Sequence, residues 1–382
     1  MCMMKNRKHI FTVVFLIVTV SCREVYKPAV ISSPTAYMVI EGVLNVNGPT
    51  SITVSRTTGL DIRGFNGELN AQVSVEGKDN ISKPLLSNGN GIYSSPNLNL
   101  TLNDEYRLRI RTVTGKEYLS EYVKARETPS IDSITWKQES EGLKLFVNTH
   151  DVTNNTRYYR WDYDETWEVW SYYVAGWLYI KDSNIVRRIL PQEDASVGWT
   201  YEFSKNILLG SSASLAADII FRSPVNFIAT GDEKLAVRYS SLVKQYALDK
   251  PGYAFYELMK KNTESLGSIF DPQPSEIKGN IKCLDDPKEQ VIGYISASTV
   301  TEKRIFISNQ ELASWRYRQD CPGREILNDP DSIRLAFQGS LLPWDVKYSI
   351  SNPGEVGHYI SSFARCIDVT RRGASLIKPS YW

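Results

Sequence analysis

Four carboxylates stand close together among aromatic rings. Asp162, Asp164, Glu165 and Glu168 lie within residues 157–179, where ten of twenty-three positions are Tyr or Trp. Paired carboxylates among aromatic platforms make a glycoside-hydrolase constellation, with the two groups ~5–9.5 Å apart. In an extended strand Asp162 and Asp164 share a face at roughly 7 Å, two steps of the strand rise. The spacing permits the chemistry, but any Asp-x-Asp in a strand has it. Two other readings of the segment compete. The first puts the rings in a core and the carboxylates in solvent or against Arg157 and Arg160. The second makes the rings an interface, since large, stiff aromatic side chains are good contact residues. The ligand or partner contacts are then Tyr159, Trp161, Tyr163, Trp167, Trp170 and Trp177. The core reading ranks first, the interface second and catalysis last.

Other chemistry has little material. Asp162, Asp164 and Glu165 offer oxygens for Ca²⁺, but the twelve-residue loop pattern is missing. Ser241 and Lys244 fit S-x-x-K without its companion motifs, and no phosphate-cradling or nucleophile-elbow pattern occurs. The chain has 3 His, and only His150 and His358 lie beyond the leader. Cys283, Cys321 and Cys366 give one disulfide and one free thiol in an oxidising compartment. A zinc site needs a fourth ligand at short spacing. A cysteine nucleophile has only the nearness of His358 to Cys366 in its favour. No catalytic residue, metal site or cofactor is assigned, and the expectation is a non-enzyme.

The compartment follows from the first residues. Lys5, Arg7 and Lys8 precede an apolar run, Ile10–Val20, too short for a bilayer of ~30 Å and suited to a signal peptide. Ser21-Cys22 ends the run in the manner of a bacterial lipoprotein signal. Residues 1–21 read as the leader and Cys22 as the lipid anchor, carrying palmitate-type chains. Several chains on one cysteine anchor stably where one does not. Against 44 Lys+Arg and 43 Asp+Glu, the leader takes three basic residues and no acidic one, so the mature chain is slightly acidic. Such a balance excludes a nucleic-acid binder held by bulk positive charge. Hydrophobic residues at 42% and charged residues at 23% exclude a disordered chain.

The elements that must position these groups are mainly β. Residues 22–34 read as a tether and 35–128 as an immunoglobulin-like β-sandwich. Met38/Ile40, Ile52/Val54, Ala71/Val73/Val75, Leu98/Leu100/Leu102 and Tyr106/Leu108/Ile110 alternate with period two. Thr128-Pro129-Ser130 marks a seam. Residues 129–382 read as a second, larger β-rich domain with one helical insertion near 250–265. There Asp249 caps, Pro251 suits the first turn and Gly267 follows the end.

Several stretches together resemble a family of Bacteroidetes outer-membrane lipoproteins, the domain of unknown function forty-two forty-nine. They are the lipoprotein start, Tyr37–Gly42, Ala71–Val75, Arg157–Trp161 with Glu165–Trp167, Val243–Leu248, Gly279–Ile281, Val291–Tyr294, Lys303–Ile307 and the ending Lys378–Trp382. The resemblance implies no activity. It implies a place on the outer membrane, in either leaflet, beside a TonB-dependent transporter whose nutrient uptake the protein assists. Family members carry Cys-x-x-Cys near the ending; here Cys366 is present and Val369 takes the second place. The pairing that follows is Cys321 with Cys366, leaving Cys283 reduced. The alternatives are a surface glycan-binding or glycan-hydrolysing lipoprotein that uses residues 157–179, and an adhesive or structural protein.

Overall fold

The structure is a computed structural model and describes residues 36–59, 64–181, 185–264 and 277–382. The leader, Cys22, the tether to 34 and Gly267 lie outside the described residues.

The period-two stretches of the first region become strands: β1 (Met38–Asn45), β2 (Thr50–Arg56), β3 (Gln72–Gly77), β4 (Ser82–Ser87), β5 (Ile92–Ser95), β6 (Glu105–Arg111), β7 (Glu117–Ser120) and β8 (Val123–Lys124). In β6, Tyr106, Leu108 and Ile110 turn inward. Arg107 and Arg109 turn outward and hold Glu76 of the neighbouring strand at 2.8 and 2.5 Å. One expectation fails. Leu98 and Leu100 are buried, yet residues 97–100 form no strand. Asn99 at φ 47° and Asn103 at φ 70° take left-handed conformations that a β ladder does not accommodate.

The chain continues through β9 (Ile131–Glu139), β10 (Gly142–His150), β11 (Tyr158–Trp170), β12 (Trp177–Ile180), β13 (Ile185–Arg188), β14 (Val197–Phe203), β15 (Leu208–Ser211), β16 (Ile219–Ala229), β17 (Arg238–Leu248) and helix α1 (Lys250–Glu264). Sheet β16-β10-β9 packs on sheet β14-β11-β17, which β21 (Val300–Ser308) extends, and their inner faces share one core that includes Leu143, Leu145, Tyr159, Trp161 and Val243. The helix starts where the cap predicts. Asp249 Oδ1 accepts the Gly252 N–H at 2.8 Å and the Tyr294 hydroxyl at 2.9 Å.

Beyond the helix come β18 (Ile281–Cys283), β19 (Val291–Ile292), β20 (Ser296–Ser298) and β21 (Val300–Ser308). The first three return to the first sheet. Ile281 pairs with Ser120 of β7, and Val291 and Ser296 pair in parallel with Met38 and Val43 of β1. The strand order β18-β7-β6-β3-β4-β5-β2-β1-β19 thus begins and ends with consecutive strands of one short segment. Ile281, Cys283, Val291, Ile295 and Ala297 join the first core. The expected boundary near 128 marks where the chain leaves this sandwich, and 281–298 brings it back.

The chain ends with β22 (Arg324–Leu327), helix α2 (Pro330–Phe337), β23 (Leu341–Tyr348) and β24 (Val356–Phe363). With the hairpin β12-β13 they enclose a small core of Tyr179, Ile333, Phe337 and Tyr359. Among the described residues no helix is long and apolar enough to cross a membrane.

Candidate functional site

Strand β11 decides the fate of the aromatic and acidic segment. Alternation sends Tyr159, Trp161, Tyr163, Glu165, Trp167 and Val169 inward. Tyr159 and Trp161 are 0% exposed, Tyr163 8% and Trp167 9%. Their polar atoms are spoken for. The Trp161 indole donates to Gln245 Oε1 at 2.8 Å, the Tyr163 hydroxyl donates to Asn226 Oδ1 at 3.0 Å and the Tyr159 hydroxyl donates to buried Asp218. These four rings are core and not partner contacts, which corrects the interface expectation for them. Facing strands from two sheets cover them from both sides. Trp177 is half-buried and packs its ring edge on Tyr359 at 5.9 Å. Trp170, at 54% exposed, is open to solvent.

Asp162 and Asp164 do share a face, and each has a cation. Arg160 reaches Asp162 at 3.1 Å and Lys244 reaches Asp164 at 2.6 Å. Glu168 accepts the indole N–H groups of Trp170 at 2.6 Å and Trp382 at 3.1 Å. Glu165 points the other way, into the core, at 2% exposed. It accepts from Tyr239 Oη and Asn226 Nδ2, both at 2.6 Å, and pairs with Lys234 Nζ at 2.5 Å. Lys234 also reaches Glu202 at 2.8 Å. Burial by itself would lower the Lys234 ammonium, but its bonds to Glu165 and Glu202 hold it above the ordinary lysine value. Lys205 and then Lys234 pull Glu202 down to about 2. Burial, with Glu165 beside it, pushes the Tyr239 phenol well up. No free acid and base face one another across this segment.

The outer face of the same sheet is covered by the end of the chain. Tyr381 shares a hydroxyl contact of 2.7 Å with Thr166, and Arg304 stacks over its ring at 3.6 Å. Trp382 and Phe306 flank Arg238 at 5.1 and 4.5 Å.

What remains open is the end of β11 and the loop that follows it. Trp170, Tyr172 and Val174 are 54%, 58% and 67% exposed. Between them Tyr173 turns inward, stacks on Trp344 at 4.3 Å, donates its hydroxyl to the Cys321 carbonyl at 3.0 Å and donates its N–H to the Cys366 carbonyl at 3.0 Å. Cys321 and Cys366 form a disulfide, and Cys283 is free and buried. The disulfide therefore backs a loop that presents alternate apolar side chains. Sequence reading found Trp170; Tyr172 and Val174 carried no signal separating them from their inward neighbours.

Model comparison gives the family. The model of a domain of unknown function (DUF4249) matches residues 23–304. The chain belongs to this family. No curated protein matches it. The match covers both sandwiches as far as β21, including the returning strands, so a DUF4249 domain here is the pair of sandwiches and not the first alone. The disulfide, the small C-terminal sheet and the tail over β11 lie beyond the matched residues.

A second open feature lies at the seam. A groove of about 610 Å³ is bordered by Leu102 and Asn103, by residues 124–127 and 129–130, and by 150–153 with Asn155 and Thr156. It includes one of the two histidines beyond the leader, His150, whose Nδ1 meets Asp132 Oδ2 at 2.8 Å. Sequence reading marked the seam but not the groove, because its walls come from three separate stretches. Among the described residues no three His, Cys, Asp or Glu side chains come together to hold a metal ion.

Proposed function

We propose that this DUF4249 protein is a lipid-anchored outer-membrane binding protein, without catalytic activity, that assists a TonB-dependent transporter in nutrient uptake. The observation that carries the binding part is the disulfide-backed loop. Trp170, Tyr172 and Val174 stand out of a segment whose neighbour Tyr173 is stacked and hydrogen-bonded. Pre-ordering of this kind spares a contact surface the entropy of immobilising rotamer-rich side chains on binding. Tyr and Trp are also the residue types that dominate binding hot spots. The pairing of Asp162, Asp164 and Glu165 with Arg160, Lys244 and Lys234 supports binding over glycan hydrolysis, which needs an acid and a base with unlike, accessible environments. The leader and Cys22 support the anchor, and the transporter partner rests on the family resemblance.

The test is crosslinking in intact cells that express a tagged copy, recovery from outer membranes and mass spectrometry of what comes with it. A transporter barrel in near-equal amount, lost with Cys22→Ala and depleted with Trp170→Ala/Tyr172→Ala, is the expected result. Recovery of the protein alone would remove the transporter reading.

A further inference from the structure

We infer that the seam groove is a binding site for a small oxyanion-bearing solute with a polar, hydroxylated body. The inference does not depend on the transporter reading, because the groove belongs to this chain alone.

Three observations build it. The first is size and place. About 610 Å³ between two domains falls in the ~300–1,000 Å³ range of small-molecule sites, which favour domain interfaces.

The second is uncommitted positive charge. Lys124 and Arg126 flank Ala125, whose side chain is buried in the first core, so alternation along the extended chain puts the two cations together on the side away from that core. The other described arginines of the first sandwich, Arg56, Arg107, Arg109 and Arg111, each reach a carboxylate. Arg126 and Lys124 line the groove and have no ion pair among the described residues. A guanidinium offers a fixed fork of donors matched to an oxyanion.

The third is an oriented histidine. His150 Nδ1 lies 2.9 and 2.8 Å from the two oxygens of Asp132. Nδ1–H donates to that carboxylate, so Nε2 donates toward a ligand in the imidazolium form, which an oxyanion beside it would favour further. Asp132 also holds His150 more basic than an ordinary histidine.

The acidic groups at the groove do not cancel this arrangement. Asp151 spends both oxygens on its own turn. Oδ1 accepts the Thr153 N–H at 2.9 Å and its hydroxyl at 2.6 Å, and Oδ2 accepts the N–H groups of Asn155 and Thr156 at 3.0 and 2.9 Å. Asp132 is occupied by His150, and Glu127, which also lines the groove, stands against two cations, Lys124 and Arg126. Asn103, Ser130 and Asn155 supply neutral donors and acceptors for hydroxyl groups. The lining thus matches an acidic sugar or a sugar phosphate better than an apolar ligand or a cation.

The experiment follows the ¹⁵N side-chain signals of His150 in the full mature protein, assigned by loss in His150→Gln. Glucuronate, glucose, inorganic phosphate and chloride are titrated at constant ionic strength. A saturable shift with glucuronate or phosphate, absent with glucose and chloride, is expected. In Lys124→Gln/Arg126→Gln the apparent affinity should fall at least about tenfold, which is about 1.4 kcal/mol. The signals of His358, in the C-terminal sheet, should stay where they were and report an intact fold. Saturation by phosphate alone would keep the oxyanion site and assign it to phosphoryl groups. No saturable shift with either oxyanion, an equal response to glucose or chloride, or an unchanged affinity in the double variant would each overturn the inference.

Discussion

Glu165 and Lys234 form an ion pair at 2.5 Å inside the second sandwich, with side chains 2% and 19% exposed. Glu165 reaches the core because alternation along β11 turns it to the same side as Trp161 and Trp167. The desolvation cost of its charge is met by a cation and by the Tyr239 and Asn226 donors. Such a group is structural. Removing one partner leaves a buried charge uncompensated, which costs far more than the pair contributes.

Lys234→Met should therefore destabilise the protein by about 3–5 kcal/mol, measured by denaturant unfolding. Glu165→Gln should cost less, since an amide still meets Tyr239 and Asn226. The double variant should recover part of the Lys234→Met loss. Additive losses would mean that the two residues do not act as a pair.

Acid should weaken the fold from the same site. Glu202 is held at about 2 against an ordinary 4.5. Its contribution is present above 4.5 and is lost as pH falls toward 2. His150 works in the other direction. Raised above 6.5 by Asp132, it contributes fully below 6.5 and loses that contribution as pH rises through its folded value. NMR titration should find His150 above 6.5, and Asp132→Asn should bring it down.

The cysteines should behave unequally. Cys283 is 3% exposed, and burial raises its thiol above the ordinary value, so a thiol reagent should leave it untouched until unfolding. Reducing Cys321–Cys366, which closes a sequence separation of 45, should cost about 2–4 kcal/mol. It should also raise hydrogen exchange at Tyr173, whose partners are the Cys321 and Cys366 carbonyls.

The two tryptophans of β11 should separate core from contact. Trp161→Ala is expected to cost about 3–5 kcal/mol, with Gln245 left holding an unused acceptor. Trp170→Ala should change stability by no more than about 0.5 kcal/mol while depleting the crosslinked partner.

A fragment ending at residue 128 should not fold. It lacks β18, β19 and β20, which cover β7 and β1 and bring Ile281, Val291 and Ile295 into the first core. Dispersed amide signals from that fragment would show that the first sandwich is complete without them.

The alternation of Met38/Ile40, Val73/Val75 and Tyr106/Leu108/Ile110 by itself determined the strands, and Asp249 with Pro251 determined where α1 starts. These are local properties: a side chain's face follows from strand or helix period, and a cap acts within a few residues. The same locality put Asp162 and Asp164 on one face and opposed Glu165 to them. Only the tertiary structure decided which face met a core. β11 lies between β14 and β17 and under β10, so Tyr159 and Trp161 became interior while Trp170, on the opposite face at the end of the strand, did not. The return of 281–298 to strands some 160 residues or more earlier, the Lys234 partner of Glu165 and the walls of the seam groove are pairings between distant stretches. Sequence period carries no information about such partners, because many strands of equal pattern compete for each edge, and packing alone selects among them.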